Sequence, residues 1–141
     1  MSKSGPILII EDDREDKEIL EDIITELGVK NKLVWLENTT EAFNFLSTAS
    51  ESMFIIFCDI NLPGKNGLEL KMSIDASPTL RKKSIPFIFY STSAHQEDVN
   101  MAYSKMTIQG FFQKGSNYED MKKLIKLILD YWSACKHPNL L

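Results

Sequence analysis

The sequence predicts an α/β fold: a doubly wound, five-stranded parallel sheet with helices on both faces, in one domain over residues 1–141 with its core at about residues 5–134. Three observations carry this. Short apolar runs alternate with longer segments of helical periodicity, five times over. Residues 53–58 are apolar at every position, as a central parallel strand covered on both faces must be. No polar or Pro/Gly-rich stretch is long enough to divide the repeats as a linker. Right-handed crossovers are expected throughout.

The elements follow in order. Ile7–Ile10 is rich in β-branched residues and reads as a buried strand. Ile19, Leu20, Ile23, Ile24 and Leu27 recur at helical spacing, and Gly28 supplies a stop. Residues 32–36 form the second strand. Thr39 or Thr40 caps a helix that buries Ala42, Phe43 and Leu46. After the strand at residues 53–58 comes a short helix at 67–74, then a polar, basic loop at 77–84. Pro86 leads into a fourth strand at 87–90, and a helix spans 96–103. Residues 110–112 belong to the fifth strand. The last helix covers Tyr118–Ala134, with Met121, Leu124, Ile125, Ile128, Leu129 and Trp132 in one apolar stripe.

Composition narrows the function. Hydrophobic residues make up 43% of 141, enough for a full core. A net charge of −4 and a pI near 5.2 exclude the basic face of a nucleic-acid-binding module. The acid is concentrated: residues 11–26 hold nine Asp or Glu against Arg14 and Lys17. Most of that stretch reads as a solvated helix face; its first residues do not. Two separated cysteines, Cys58 and Cys135, fit a reducing compartment, and His95 and His137 stand apart from any Cys/His metal pattern. No apolar run is long enough to span a bilayer, and no apolar signal region follows the N-terminus. The expected location is the cytoplasm, with no membrane or nucleic-acid partner.

In a sheet of this kind the working site lies at the carboxyl ends of the strands. Glu11, Asp12 and Asp13 follow the first strand, Asp59 the third, Ser91, Thr92 and Ser93 the fourth, and Lys114 the fifth. Taken singly, each is explained as a cap, a turn former or surface. Three carboxylates, a hydroxyl and a lysine at one sheet edge are harder to explain that way. Packed carboxylates repel, and a hard divalent cation with oxygen ligands resolves the repulsion. Such a cation and a lysine can neutralise phosphoryl oxygens, a serine hydroxyl can bond them, and a carboxylate can act as nucleophile. Asp13 is expected to cap the first helix instead.

The segments Ile-Leu-Ile-Ile-Glu-Asp-Asp, Phe-Cys-Asp-Ile-Asn-Leu-Pro-Gly-Lys-Asn-Gly, Phe-Tyr-Ser-Thr-Ser and Phe-Phe-Gln-Lys resemble the four signature regions of response-regulator receivers of two-component signal transduction, in a chemotaxis-regulator-like, single-domain form. The resemblance spans roughly residues 5–134 and is most specific from Asp59 to Gly67, where Pro63 and Gly67 stand at the expected offsets. It implies a flavodoxin-like (βα)5 fold and a phosphoryl group accepted on Asp59 with Mg2+ or Mn2+. It makes Glu11 and Asp12 the acidic pair, with Asp12 the more direct metal ligand, and brings the backbone carbonyl of Asn61 to the metal. Ser91 becomes the switch hydroxyl, Lys114 the phosphoryl-binding lysine and Phe111 the switch aromatic. Three departures stand out. Gly115 replaces the usual cis-proline after Lys114, so the bond between them is expected to be trans, since cis without proline costs about 2.5–4 kcal/mol. Thr92 replaces a smaller residue, and Lys105, Met106 and Thr107 replace the usual turn before the fifth strand.

The resemblance implies a sensor histidine kinase or phosphotransfer protein upstream. Downstream it implies a protein partner or a second copy of the chain, on the face of the fourth helix, fifth strand and last helix. No output module is expected after the last helix, so the chain acts by contact or passes the phosphoryl group along a relay. The only chemistry expected is its own phosphotransfer and slow dephosphorylation. Rival readings fare worse. A haloacid-dehalogenase-type phosphatase needs an acid/base Asp two residues after its nucleophile, and position 61 is Asn. A flavin domain needs a phosphate-holding loop after the first strand, where Glu11, Asp12 and Asp13 would repel phosphate. A degenerate scaffold would not keep Asp12, Asp59, Ser91 and Lys114 together.

Overall fold

The computed structural model describes residues 2–138. Five parallel strands, β1 (Ile7–Ile10), β2 (Leu33–Leu36), β3 (Ile55–Cys58), β4 (Phe87–Ser91) and β5 (Gly110–Gln113), form one sheet in the order β2-β1-β3-β4-β5. The helices are α1 (Arg14–Glu26), α2 (Thr39–Thr48), α3 (Gly67–Ala76), α4 (Pro78–Lys82), α5 (Gln96–Lys105) and α6 (Tyr118–Ala134). This is the flavodoxin-like doubly wound arrangement.

Strand residues alternate between two cores because successive side chains point to opposite faces. Leu8, Ile10, Ile56, Cys58, Phe87 and Phe89 pack under α2, α3, α4 and α5 with Ala42, Leu46, Leu70, Leu80 and Ala102. Ile7, Ile9, Ile55, Phe57, Ile88 and Tyr90 face α1 and α6 with Leu20, Ile23, Ile24, Ile125 and Leu129. Covering on both faces accounts for the unbroken apolar runs in β1, β3 and β4, all of whose residues are buried.

Gly28 stops α1 as its sequence position predicts. Its φ is +79°, its N–H bonds the Thr25 carbonyl, and the Val29 N–H reaches back to the Ile24 carbonyl, a Schellman ending. Two local expectations need correction. The cap of α2 is Asn38, not Thr39 or Thr40: its side chain accepts from the Glu41 N–H at 2.8 Å, while Thr39 is buried. Residues 77–84 are not all loop. Ser77 caps α4, Pro78 begins it where a missing N–H does no harm, and Leu80 turns into the core. One apolar residue in a basic stretch was too weak a periodic signal to announce a helix of that length. Beyond α6 the chain turns back, and the buried His137 ring bonds the Phe54 carbonyl at 2.7 Å through Nε2.

Candidate metal and phosphoryl site

Parallel register brings the strand ends level. Ile10 pairs with Cys58 and Cys58 with Phe89, so the residues that follow emerge along one edge. The backbone locks them there: the Asp59 N–H bonds the Ile10 carbonyl at 3.0 Å and the Lys114 N–H bonds the Ser91 carbonyl at 2.8 Å. Glu11, Asp59 and Ser91 are buried and Asp12 is exposed. One carboxylate oxygen each from Glu11, Asp12 and Asp59 lies within 4.8 Å of the others. The structure therefore assembles these three carboxylates with Ser91 and Lys114.

Asp59 is held through one carboxylate oxygen. Its Oδ1 accepts from the Ser91 hydroxyl at 2.7 Å and from the Asn61 N–H at 3.2 Å. The Asn61 side chain is engaged elsewhere, donating to Ser93 Oγ at 2.7 Å. The loop beyond is shaped by glycine. A Cβ on Gly67 would stand 2.2 Å from the Asp59 carbonyl oxygen, so only glycine lets α3 begin this close to Asp59. Asn66 and Glu69 form a reciprocal capping box that starts α3 at that point.

Lys114 is expected to aim at Asp59, and here the structure differs in detail. Its ammonium is 3.7 Å from Asp59 Oδ2 but 2.7 Å from Glu11 Oε1 and 3.2 Å from Asp16 Oδ2. The ammonium goes to the carboxylates that surround it most tightly. Burial opposes its charge, yet the hydrogen bond and charge of Glu11, with Asp59 and Asp16 behind, leave the Lys114 pKa raised. Burial pushes Glu11 the other way, up to about 7; Lys114 opposes this and the charge of Asp59 reinforces it. The adjacent Cys58 thiol is driven well above its ordinary range by complete burial, so it is an inert core group.

Asp13 stands outside the cluster as an N-cap, accepting from the N–H groups of Glu15 at 2.8 Å and Asp16 at 3.2 Å. Among the described residues every peptide bond is trans, that between Lys114 and Gly115 included. The half-buried Phe111 ring packs on Phe89 at 5.6 Å, and its N–H donates to the Tyr103 hydroxyl at 3.0 Å.

Three further participants carry little signal in the sequence. Asp16 lies in the acidic stretch that reads as a solvated helix face, yet its place in the first turn of α1, three residues past the cap, brings it to Lys114 at the strand ends. Trp35, on β2, donates from its indole to the Glu11 carbonyl at 2.7 Å, and no sequence signal announces that bond. Tyr90 lies with its ring 5.5 Å from the Lys114 ammonium.

The sequence profile of the response regulator receiver domain matches residues 7–126. The chain belongs to the response-regulator receiver family. This receiver is 27% identical over 131 residues to response regulator Rcp1 of Synechocystis sp., an alignment covering 89% of this chain and 87% of that one. It is similar to the crystal structure of the Mn2+-bound form of Rcp1, with a TM-score of 0.82 and 26% identity over 94% of this chain and 98% of that one. It is also similar to the phosphorylated cyanobacterial phytochrome response regulator RcpA, with a TM-score of 0.80 and 26% identity over 92% and 94% of the two chains. The receiver's oxygen-only cluster of Glu11, Asp12 and Asp59 suits a hard divalent cation, whose charge would favour the ionised Glu11 that burial, with the charge of Asp59 adding to it, disfavours.

Proposed function

We propose that this receiver takes a phosphoryl group from a sensor histidine kinase or phosphotransfer protein onto Asp59, and that the phosphorylated form signals by binding a protein partner. The observation that supports this most is the setting of Asp59: a buried carboxylate held by Ser91 and Asn61, faced by Lys114, and within metal-sharing distance of Glu11 and Asp12. A carboxylate oxygen of Asp59 attacks phosphorus as the phosphorus–nitrogen bond of the donor phosphohistidine breaks, and the bonding electrons return to the imidazole nitrogen. Mg2+ or Mn2+ held by Glu11, Asp12, Asp59 and the Asn61 carbonyl would neutralise charge building on the phosphoryl oxygens. Lys114 supplies a further positive charge, and the Ser91 hydroxyl, now bonded to Asp59, turns to the new oxygens, which are strong acceptors.

As Ser91 moves, the Phe111 ring advances into the space behind it, and the surface of α5, β5 and α6 changes. The half-buried Phe111 ring, packed on Phe89, is expected to favour the inward state even before phosphorylation, which then shifts the population further toward it. That surface is the proposed docking face for a downstream protein or a second copy of the chain, in the cytoplasm. No described helix is long and apolar enough to cross a membrane. The test is uptake of one phosphoryl group from acetyl phosphate, read by intact mass spectrometry. Labelling is expected with Mg2+ or Mn2+ and absent after chelation. Labelling indifferent to metal would contradict the reading.

Two further results are expected at the metal. Asp12→Ala weakens Mg2+ binding in calorimetry far more than Asp13→Ala, because Asp13 is committed to capping α1 and its loss costs about 1 kcal/mol of stability instead. Similar losses of affinity in the two variants would remove that division of labour. The second concerns pH. The Glu11 pKa is raised from 4.5 to about 7 on folding, so the folded state holds this proton more tightly. Its stabilising contribution is full below the unfolded value and is lost as pH rises through about 7. A cation that binds ionised Glu11 must displace the proton below that pH. Mg2+ therefore raises the melting temperature more at about pH 8 than at about pH 5.5. Equal increments would take Glu11 out of the metal set.

A further inference from the structure

Lys114 carries three donors, and its two shortest contacts go to Glu11 at 2.7 Å and Asp16 at 3.2 Å, not to Asp59 at 3.7 Å. The two partners differ in kind. The Glu11 side chain is buried, whereas that of Asp16 is 34% exposed and sits at the long end of the hydrogen-bonding range. Asp16 is the contact the lysine can give up most easily. Its backbone is not free to drift, because its N–H is held by the Asp13 cap.

Beside this pair lies an unexplained group. Tyr90 is 4% exposed, and among the described residues its hydroxyl is the buried side-chain oxygen that finds no hydrogen-bond partner. A buried hydroxyl in that condition destabilises the state that contains it and favours any state that supplies an acceptor. The Lys114 ammonium that Asp16 holds at 3.2 Å lies 5.5 Å from the Tyr90 ring, so Asp16 and Tyr90 flank the same cation; burial pushes the Tyr90 pKa up to about 12, with Lys114 opposing and Asp16 adding to the rise.

We propose that Asp16 and Tyr90 are positioning residues for Lys114: Asp16 holds the ammonium back from Asp59 in the unphosphorylated receiver, and after phosphorylation it releases the lysine and accepts the hydrogen bond of the Tyr90 hydroxyl. This rests on the reading of Asp59 as phosphoacceptor. A phosphoryl group brings close to two negative charges at the position Lys114 faces, against the single charge of Asp16, so the ammonium transfers to it. The freed carboxylate can then accept from the Tyr90 hydroxyl, which among the described residues has no other partner. Tyr90 belongs to the core packed under α1 and α6, whereas Phe111, toward which the proposed Ser91 movement leads, packs on the core of the opposite face. The exchange therefore opens a second route from the site, to the α1–α6 side of the sheet, in parallel with the Ser91–Phe111 route.

The test is the affinity of the full chain for beryllofluoride with Mg2+, a stable mimic of the phosphorylated state, followed by tryptophan fluorescence. Asp16→Asn removes the competing charge but keeps an oxygen for Tyr90, and is expected to bind about two- to fivefold more tightly than wild type. Tyr90→Phe is expected to bind about two- to fivefold more weakly while its ligand-free form melts no lower, since the lost hydroxyl had no partner. Structural damage would not raise affinity in one variant, nor lower it in the other without loss of stability. Unchanged or weaker binding by Asp16→Asn, with wild type binding normally, would overturn the counter-anchor, and unchanged binding by Tyr90→Phe would overturn the exchange. Failure of wild type to bind would bring down the Asp59 reading and this inference together.

Discussion

Asp59→Asn will carry no phosphoryl group after incubation with acetyl phosphate and Mg2+, while the wild-type chain gains one. The amide has nearly the shape of the carboxylate, and its oxygen can still accept from Ser91 and the Asn61 N–H, which hold Oδ1 at 2.7 Å and 3.2 Å. It lacks the anionic oxygen that attacks phosphorus, and its nitrogen, whose lone pair is delocalised into the carbonyl, cannot attack in its place. Loss of function will not come from loss of fold. The charge of Asp59 is one of the causes that raise Glu11, so removing it relieves repulsion in a buried cluster. The variant is expected to melt at or above the wild-type temperature in the absence of metal. Full labelling of the Asn variant in intact mass spectrometry would show that another residue takes the phosphoryl group.

The second large effect falls on a residue with no functional group. Gly67→Ala places a Cβ 2.2 Å from the Asp59 carbonyl oxygen, 3.1 Å from its carbon and 3.2 Å from Cys58 Sγ. Two of these neighbours are backbone atoms of the loop that carries the nucleophile, so neither can rotate away. Either α3 backs off or Asp59 moves. We expect a loss of about 2–4 kcal/mol in urea unfolding, together with slower labelling of Asp59. Gly64→Ala is the control. Its φ of +72° strains a side chain, but nothing lies within 4 Å of the new Cβ, so about 1 kcal/mol is expected and labelling should be retained. Equal losses in the two variants would mean that α3 does not rest on Asp59 as closely as described.

The fold was legible in the sequence because burial has a period. A strand covered on both faces must be apolar throughout, and β1 and β3 are; a helix with one buried stripe must repeat apolar residues at three and four, and α1 and α6 do. The carboxylates, hydroxyl and lysine of the site were legible for a related reason. In a parallel sheet, strand ends lie at one edge, so position along the chain translates into position in space. The same rule could not choose among neighbours at that edge. Asp13 and Asp16 are both acidic and both near α1; one is spent on the helix N-terminus and the other reaches Lys114.

By itself, then, the sequence determined the strand order's ingredients, the edge on which the chemistry sits and the residue types that gather there. Tertiary structure alone decided which partner each side chain takes. It set Lys114 nearer to Glu11 than to Asp59, brought the Trp35 indole onto the Glu11 carbonyl, left the Tyr90 hydroxyl without a partner among the described residues and buried Lys71 against Asp75 at 2.9 Å. Periodicity is a property of one element and survives small shifts in packing. A hydrogen bond or ion pair joins two elements and is made or lost over less than an ångström, a distance fixed only when the whole core has packed.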